Sequence, residues 1–280
     1  MRPSSGNGPL PDAMEAGAAV VAFDTGAVST ARRALPAEEP LEIAYGGVPF
    51  AVMMVTPSDL EDFAFGFSLT EGIVENRQEI RQVRVDQAEN GLRCAIELSP
   101  ERLHGHLARR RALSGRTGCG LCGIDDLASL PHARAPEGEA PPVAVEAIRR
   151  ALAGMEDAQP LNDLTRGVHA AAWAGLDGDI VLVREDVGRH NALDKLIGAL
   201  LRRHADPGRG FAVVTSRCSF ELVEKIAAFR ARTLVSVSAP TSRALDRARA
   251  LDITLVGIAR RDSMTVFHGL ERILKQEPIA

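Results

Sequence analysis

The chain has 280 residues, 45% of them hydrophobic and 25% charged, with a formal net charge of −4 and four cysteines. That length allows one large domain or two moderate ones with a sizeable core and no need of a disulfide staple, and the ordinary composition excludes wholesale disorder or a fibrous architecture. The negative charge argues against a general nucleic-acid binder, and no stretch approaches the run of about 20 apolar residues that spans a bilayer.

In chain order, residues 1–35 are rich in Gly, Pro, Ala and Ser without sustained periodicity and read as a mobile or strand-swapping lead-in. Their apolar patch at 18–23 lacks a signal-peptide core and cleavage site, so a cytoplasmic location is expected. Residues 41–45 and 48–55 are strand-like runs joined at Gly46-Gly47, a two-residue hairpin signal. Thr56-Pro57-Ser58-Asp59 has capping-box spacing with a proline at the first helical position. It predicts a helix reaching about Thr70 that packs through Leu60, Phe63, Ala64, Phe67 and Leu69. A second hairpin is expected from 82–87 and 92–98 around Asn90-Gly91, so residues 36–142 read as an α+β unit.

Between 99 and 142 the hydrophobic pattern lapses into a basic run, a Gly/Cys-rich loop and a Pro/Ala-rich segment, which together read as a functional loop or interdomain link. A helix at 143–154 opens the second half, residues 143–280. There, strands at 180–187, 211–215, 234–238 and 253–259 alternate with helices at 192–203, 220–231 and 243–250. Such alternation predicts a largely parallel sheet with crossover helices, whose ligands bind beyond the C-terminal strand ends.

Two of the cysteines, Cys94 and Cys218, lie in or beside strand patterns and read as packed thiols. The other two, Cys119 and Cys122, stand in Gly115-Arg116-Thr117-Gly118-Cys119-Gly120-Leu121-Cys122-Gly123, where glycines leave little bulk to bury them. Arg109, Arg110, Arg111 and Arg116 lie upstream; cations favour the thiolate over the thiol and attract phosphates. Three chemistries compete for this Cys-x-x-Cys. A structural zinc site needs about four ligands, and no second Cys pair or paired histidine motif is present. A thioredoxin-like redox pair opens a helix after a strand, a context lacking here. Sulfur transfer requires an accessible thiolate that accepts sulfane sulfur and a neighbour able to resolve it, and a mobile loop favours that option.

A second constellation, Val183-Arg184-Glu185-Asp186-Val187-Gly188-Arg189-His190-Asn191 running on to Asp194-Lys195, stands where a strand hands over to a helix. Functionally, Arg189 and His190 would contact an anion or ring and Asp186 would orient them; the bland alternative is a salt-bridged turn with Asn191 as helix cap. Thr215-Ser216-Arg217-Cys218-Ser219, Ala239-Pro240-Thr241-Ser242-Arg243 and the run Arg260-Arg261-Asp262-Ser263 could line one sheet edge with phosphate-compatible donors, although Ser and Thr at such junctions also serve as ordinary caps. His169, in a small-residue apolar run ending near Trp173, reads as a packed core histidine, with Trp173 in the core or an interface.

Glu38-Glu39-Pro40-Leu41-Glu42-Ile43, the cysteine loop, Glu185 through Lys195 and Thr215-Ser216-Arg217 together resemble, in order, the FdhD family of formate dehydrogenase accessory sulfurtransferases, over about residues 38–280. The resemblance implies an α/β fold: a cytidine-deaminase-like C-terminal domain, a smaller α+β N-terminal unit and a mobile Cys-x-x-Cys loop. It implies a cytoplasmic homodimer that takes sulfur from a cysteine desulfurase and delivers it to the molybdenum of a bis-molybdopterin guanine dinucleotide cofactor, its bound substrate, for formate dehydrogenase. Cys119 would carry the persulfide with Cys122 as its partner, and the guanine-dinucleotide contact would fall on Ile258, Ala259, Arg260, Arg261, Asp262, Ser263 and Met264. Arg189, His190, Ser216 and Arg217 are the further cofactor-binding candidates, and neither a resident metal nor a nucleic-acid or membrane partner is expected. Deamination is not expected, because His169 is followed by Ala170 and Ala171 and Gly118 precedes Cys119, so neither zinc-deaminase motif is present. The alternatives are a cofactor-binding chaperone without covalent transfer and a disulfide oxidoreductase using both thiols.

Overall fold

The computed structural model describes residues 11–112 and 133–274. The expected Cys-x-x-Cys loop at 115–123, with Cys119 and Cys122, therefore lies outside the described residues.

Residues expected to form a lead-in instead build an antiparallel ribbon, β1 (Ala13–Val21) on β2 (Val28–Pro36). Both of its faces are largely exposed, so no in/out alternation marks it in the sequence. The hairpin β3 (Glu39–Tyr45) and β4 (Val48–Val55) forms as expected, with Gly46 and Gly47 at φ 56° and 79°, the left-handed pair that a tight turn demands. After β4 comes α1 (Leu60–Thr70), then a second hairpin, β5 (Ile80–Ala88) and β6 (Gly91–Leu98). A parallel β3–β6 pairing joins the hairpins into one sheet of order β4-β3-β6-β5. The lapse in pattern after 99 contains α2 (Pro100–Ala112), which carries few apolar residues and was therefore not foreseen.

The capping box fails at α1. That helix starts at Leu60 after Asp59 in a left-handed conformation, with no side-chain cap. Thr56 is completely buried and used elsewhere, as described below.

The second half opens with β7 (Val143–Ala144), α3 (Val145–Glu156) and the short α4 (Pro160–Thr165). Then come β8 (His169–Gly175), β9 (Ile180–Asp186), α5 (Arg189–Arg202), β10 (Gly210–Val214), α6 (Phe220–Ala228) and β11 (Thr233–Ser236). The described chain ends with α7 (Ser242–Ala250), β12 (Thr254–Gly257), β13 (Thr265–His268) and β14 (Ile273–Leu274), the last pairing with β7. Six strands form one sheet of order β13-β12-β11-β10-β8-β9. It is mixed rather than largely parallel: β10–β11 and β11–β12 are parallel, while β8–β9, β8–β10 and β12–β13 are antiparallel. The strand that alters the topology, β8, shows in the sequence only as a run of small apolar residues. Its Ala170 to Ala174 are buried on both faces, so it shows no alternation.

Along β8, Ala171 and Trp173 face the α5–α6–α7 side while Ala172 and Ala174 face α3. One core cluster runs from Leu41 in β3 through α1 and α5 to Leu255 in β12. Two glycines allow this join: a Cβ at Gly66 would lie 1.8 Å from the Asp194 carbonyl oxygen, and one at Gly198 would lie 1.7 Å from that of Asp62. The backbones of α1 and α5 thus meet with no side chain between them.

Candidate functional site

In the six-stranded sheet β9, β10, β11 and β12 all run the same way, so their C-terminal ends share one edge with the start of β8. The sequence-predicted binding residues all follow these ends: Arg189 and His190 after β9, Ser216 and Arg217 after β10, and 258–264 after β12. Contacts link neighbouring loops. His190 Nε2 meets Ser219 Oγ at 3.3 Å and a Glu221 carboxylate oxygen at 2.8 Å, Cys218 bridges to Pro240, and the Ile258 N–H donates to the Ser238 carbonyl at 3.1 Å.

The edge is rich in cationic side chains. Arg189 buries its Nε without a hydrogen-bond partner, and Arg217 and Arg260 are exposed without an ion pair among the described residues. Half-buried His169 starts β8 at this edge rather than sitting in the core. Burial, then the nearby Arg189 and His190 charges, hold its imidazole below the ordinary histidine value and so favour its neutral form. Glu221 is held below the usual carboxylate range, chiefly by its hydrogen bond from His190. Such an arrangement of unpaired guanidiniums at strand ends can bind an anion.

Ile258 has φ 50°, a left-handed conformation that a β-branched residue adopts at a cost of about 1–3 kcal/mol, and its side chain is 42% exposed. Next to it Ala259 is buried and Met264 packs on the core, while Arg260, Asp262 and Ser263 are exposed. Arg261 pairs with Glu156 at 2.5 Å on the open surface, where solvent screens the pair. Ser216 is buried and turned inward, its hydroxyl donating to the Arg217 carbonyl and its own carbonyl accepting from Ser236.

The charged junction after β9 is largely internal framework. Asp186 and Lys195 are completely buried and paired at 2.7 Å. Asp186 also accepts from the N–H groups of Thr56 and Gly188 and from Asn191 Nδ2, and Lys195 Nζ donates to the Thr56 carbonyl at 2.9 Å. Asn191 is no helix cap; Gly188 occupies that position, and Asn191 donates to the Met54 carbonyl instead. A second buried pair, Asp194 with Lys225 at 2.9 Å, is completed by the Thr70 hydroxyl. Both pairs stitch α1 and the end of β4 to α5.

A model of the FdhD/NarQ family matches residues 36–274, most of the chain. This chain belongs to the FdhD/NarQ family. It is 47% identical over 248 residues to the sulfur carrier protein FdhD of Xanthomonas campestris pv. campestris strain B100, covering 89% of this chain and 88% of that one. It is 42% identical over 260 residues to the sulfur carrier protein FdhD of Bordetella petrii, covering 92% and 94%. Its fold is shared with the crystal structure of a formate dehydrogenase accessory protein from Desulfotalea psychrophila, at TM-score 0.75 and 24% identity over 94% of this chain and 100% of that one. The β1–β2 ribbon precedes the family match except for its last residue.

For this FdhD/NarQ chain, the sequence marked the edge and missed its supports. Thr56 carries a signal, but one that reads as a helix cap; Thr70 and Lys225 carry none, because nothing in their own helices distinguishes them from neighbouring polar residues such as Ser68 and Glu224. Cys94 and Cys218 are completely buried, and burial pushes both thiols up to about 12. They are thus the packed thiols expected, Cys94 in β6 and Cys218 in the loop after β10, far from any thiolate state at neutral pH. In the native protein neither should react with iodoacetamide at pH 7.5, and both should react once it is unfolded, as peptide mass mapping would show. Among the described residues no cluster of three or more His, Cys, Asp or Glu side chains is placed to hold a metal, and no helix is long and apolar enough to cross a membrane.

Proposed function

We propose that this protein is a cytoplasmic sulfurtransferase that accepts sulfur from a cysteine desulfurase as a Cys119 persulfide and delivers it to the molybdenum of a bis-molybdopterin guanine dinucleotide, for use by formate dehydrogenase. The observation that carries this reading is the glycine-flanked Cys119/Cys122 pair in a chain 47% identical to a sulfur carrier protein. The cationic strand-end edge supports it, since the proposed substrate is an anionic dinucleotide.

In this scheme the Cys119 thiolate attacks the terminal sulfur of the desulfurase persulfide. A new S–S bond forms, the old one breaks, and the desulfurase thiolate leaves, with no net oxidation or reduction. Arg189, Arg217 and Arg260 bind the phosphates, and exposed Ile258 flanks the guanine. On delivery the Cys122 thiolate attacks the Cys119 sulfur of the persulfide: the Cys119–Cys122 disulfide forms, the outer S–S bond breaks and sulfur leaves at the sulfide level for the acceptor, after which an external dithiol reduces the disulfide. The protein acts as a homodimer, and its six-stranded domain is cytidine-deaminase-like in fold only.

Incubation with a cysteine desulfurase and cysteine should add one sulfur to Cys119, read by mass spectrometry of the intact protein and its peptides; an unchanged mass would overturn the reading. Guanine nucleotides should raise the melting temperature, because a ligand selective for the folded state stabilises it by mass action. Equal shifts with adenine nucleotides would remove the guanine preference and leave only anion binding.

A further inference from the structure

Ala133 stands eleven positions after Cys122 in the chain. It belongs to no helix or strand, yet both of its backbone polar groups are held by one ion pair. Its N–H donates to Glu224 Oε2 at 2.6 Å, and its carbonyl accepts from Arg247 Nη2 at 2.7 Å. Glu224 in α6 and Arg247 in α7 are themselves paired through Arg247 Nε. Three residues further on, the Pro136 carbonyl accepts from Arg232 Nη1, whose guanidinium also pairs with Asp252 at 2.9 Å. Glu224 is only 4% exposed and Arg232 only 7%.

Charged side chains this buried are a costly means of fastening a connecting segment, and they confer direction that apolar packing would not. That direction follows from topology. Arg232 and Asp252 stand just before β11 and β12, at the N-terminal edge of the sheet. Glu224 and Arg247 stand in the second turns of helices that begin at the opposite, strand-end edge. Read backwards from Pro136 to Ala133, the chain therefore climbs from the N-terminal edge towards the edge bearing Arg189, His190 and Arg217. Between Ala133 and Cys122 the chain can extend by at most about 40 Å. Where Ala133 is planted thus bounds what the paired thiols reach.

We propose that Glu224 and Arg247, backed by Arg232, are positioning residues for sulfur delivery: their ion pair plants the C-terminal root of the cysteine segment on the α6–α7 face, aimed at the cationic strand-end edge. The proposal rests on the sulfurtransferase reading above. It separates two half-reactions, because taking up sulfur requires only that Cys119 meet the desulfurase, whereas giving it up requires Cys119 to meet a substrate held at this edge.

The test uses the full-length protein with Glu224→Gln, which weakens the ion pair, and Ala133→Pro, which removes the donated N–H while leaving Glu224 and Arg247 paired. In variants that melt as folded proteins, desulfurase-driven loading of Cys119 should stay within about two-fold of wild type, while activation of apo-formate dehydrogenase by the preloaded protein falls at least ten-fold. Activation at the wild-type level, or equal loss of loading and activation, overturns the proposal. If wild-type Cys119 takes up no sulfur, the sulfurtransferase reading fails instead. Should neither variant fold, hydrogen exchange on the wild-type protein decides: the Ala133 amide should be protected, and exchange at the free-peptide rate overturns the clamp itself.

Discussion

Replacing Cys119 with alanine should leave a folded protein that activates formate dehydrogenase at least about 100-fold less than wild type, since removing a nucleophile abolishes the covalent route entirely. Activity of formate dehydrogenase matured with the variant measures this directly. The same protein should keep its melting temperature and its stabilisation by guanine nucleotides, because Arg189, Arg217 and Arg260, the proposed phosphate contacts, are untouched. A cofactor-holding chaperone predicts the opposite, full activation without Cys119. A disulfide oxidoreductase predicts turnover of generic dithiols that requires Cys119 and Cys122 alike. Cys122→Ala, run alongside, separates a resolving role from a carrying one: a resolving residue leaves the Cys119 persulfide able to form.

The second large effect concerns stability. Lys195→Met should destabilise the protein by about 3–5 kcal/mol, because Asp186 then remains completely buried beside no countercharge. For a chain of this size that corresponds to a fall of roughly 6–20 °C in melting temperature, measurable by calorimetry. The double variant Asp186→Asn with Lys195→Met should recover much of the loss, since no unpaired charge is left behind. If instead the single variant melts like wild type and loses only formate dehydrogenase activation, Lys195 belongs to the site and not to the framework. These outcomes divide the charged junction after β9 into its two parts: Arg189 and His190 pointing to the edge, and Asp186, Asn191, Asp194 and Lys195 holding α1 to α5.

That division could not be read from the sequence, where all these residues appear as one dense run of charge. A strand-to-helix junction is legible from periodicity, and so is the sheet edge at which Arg189, His190, Ser216, Arg217 and residues 258–264 collect. What periodicity cannot report is which charges are buried, because that depends on Thr56 and Thr70, more than a hundred residues upstream. The hairpin at Gly46-Gly47 was legible because glycine is nearly obligatory in its turn; the second was legible as a hairpin, but its turn falls on Glu89-Asn90, with Gly91 at φ 146° opening β6 opposite Ala88 and Asn90 outside the positive-φ region. The strand β8 was not, because a strand covered on both faces loses its alternation, and with it went the prediction of a parallel sheet. The capping-box reading failed for a related reason. Thr56 satisfies the local rule for a helix start, but a buried ion pair 130 residues away uses its N–H and carbonyl instead.

The bare contact between α1 and α5 at Gly66 and Gly198 has a mechanical consequence. With backbone against backbone and buried ion pairs on both flanks, there is no layer of side chains to shear, so these two helices travel as a single strut. Arg189 and His190 form the first turn of that strut, and the four-stranded sheet that precedes α2, the segment leading to the cysteines, packs against its other side. A displacement of the first turn of α5 is therefore carried to α1 and to the sheet beneath it, with no side-chain layer between the two helices to absorb it.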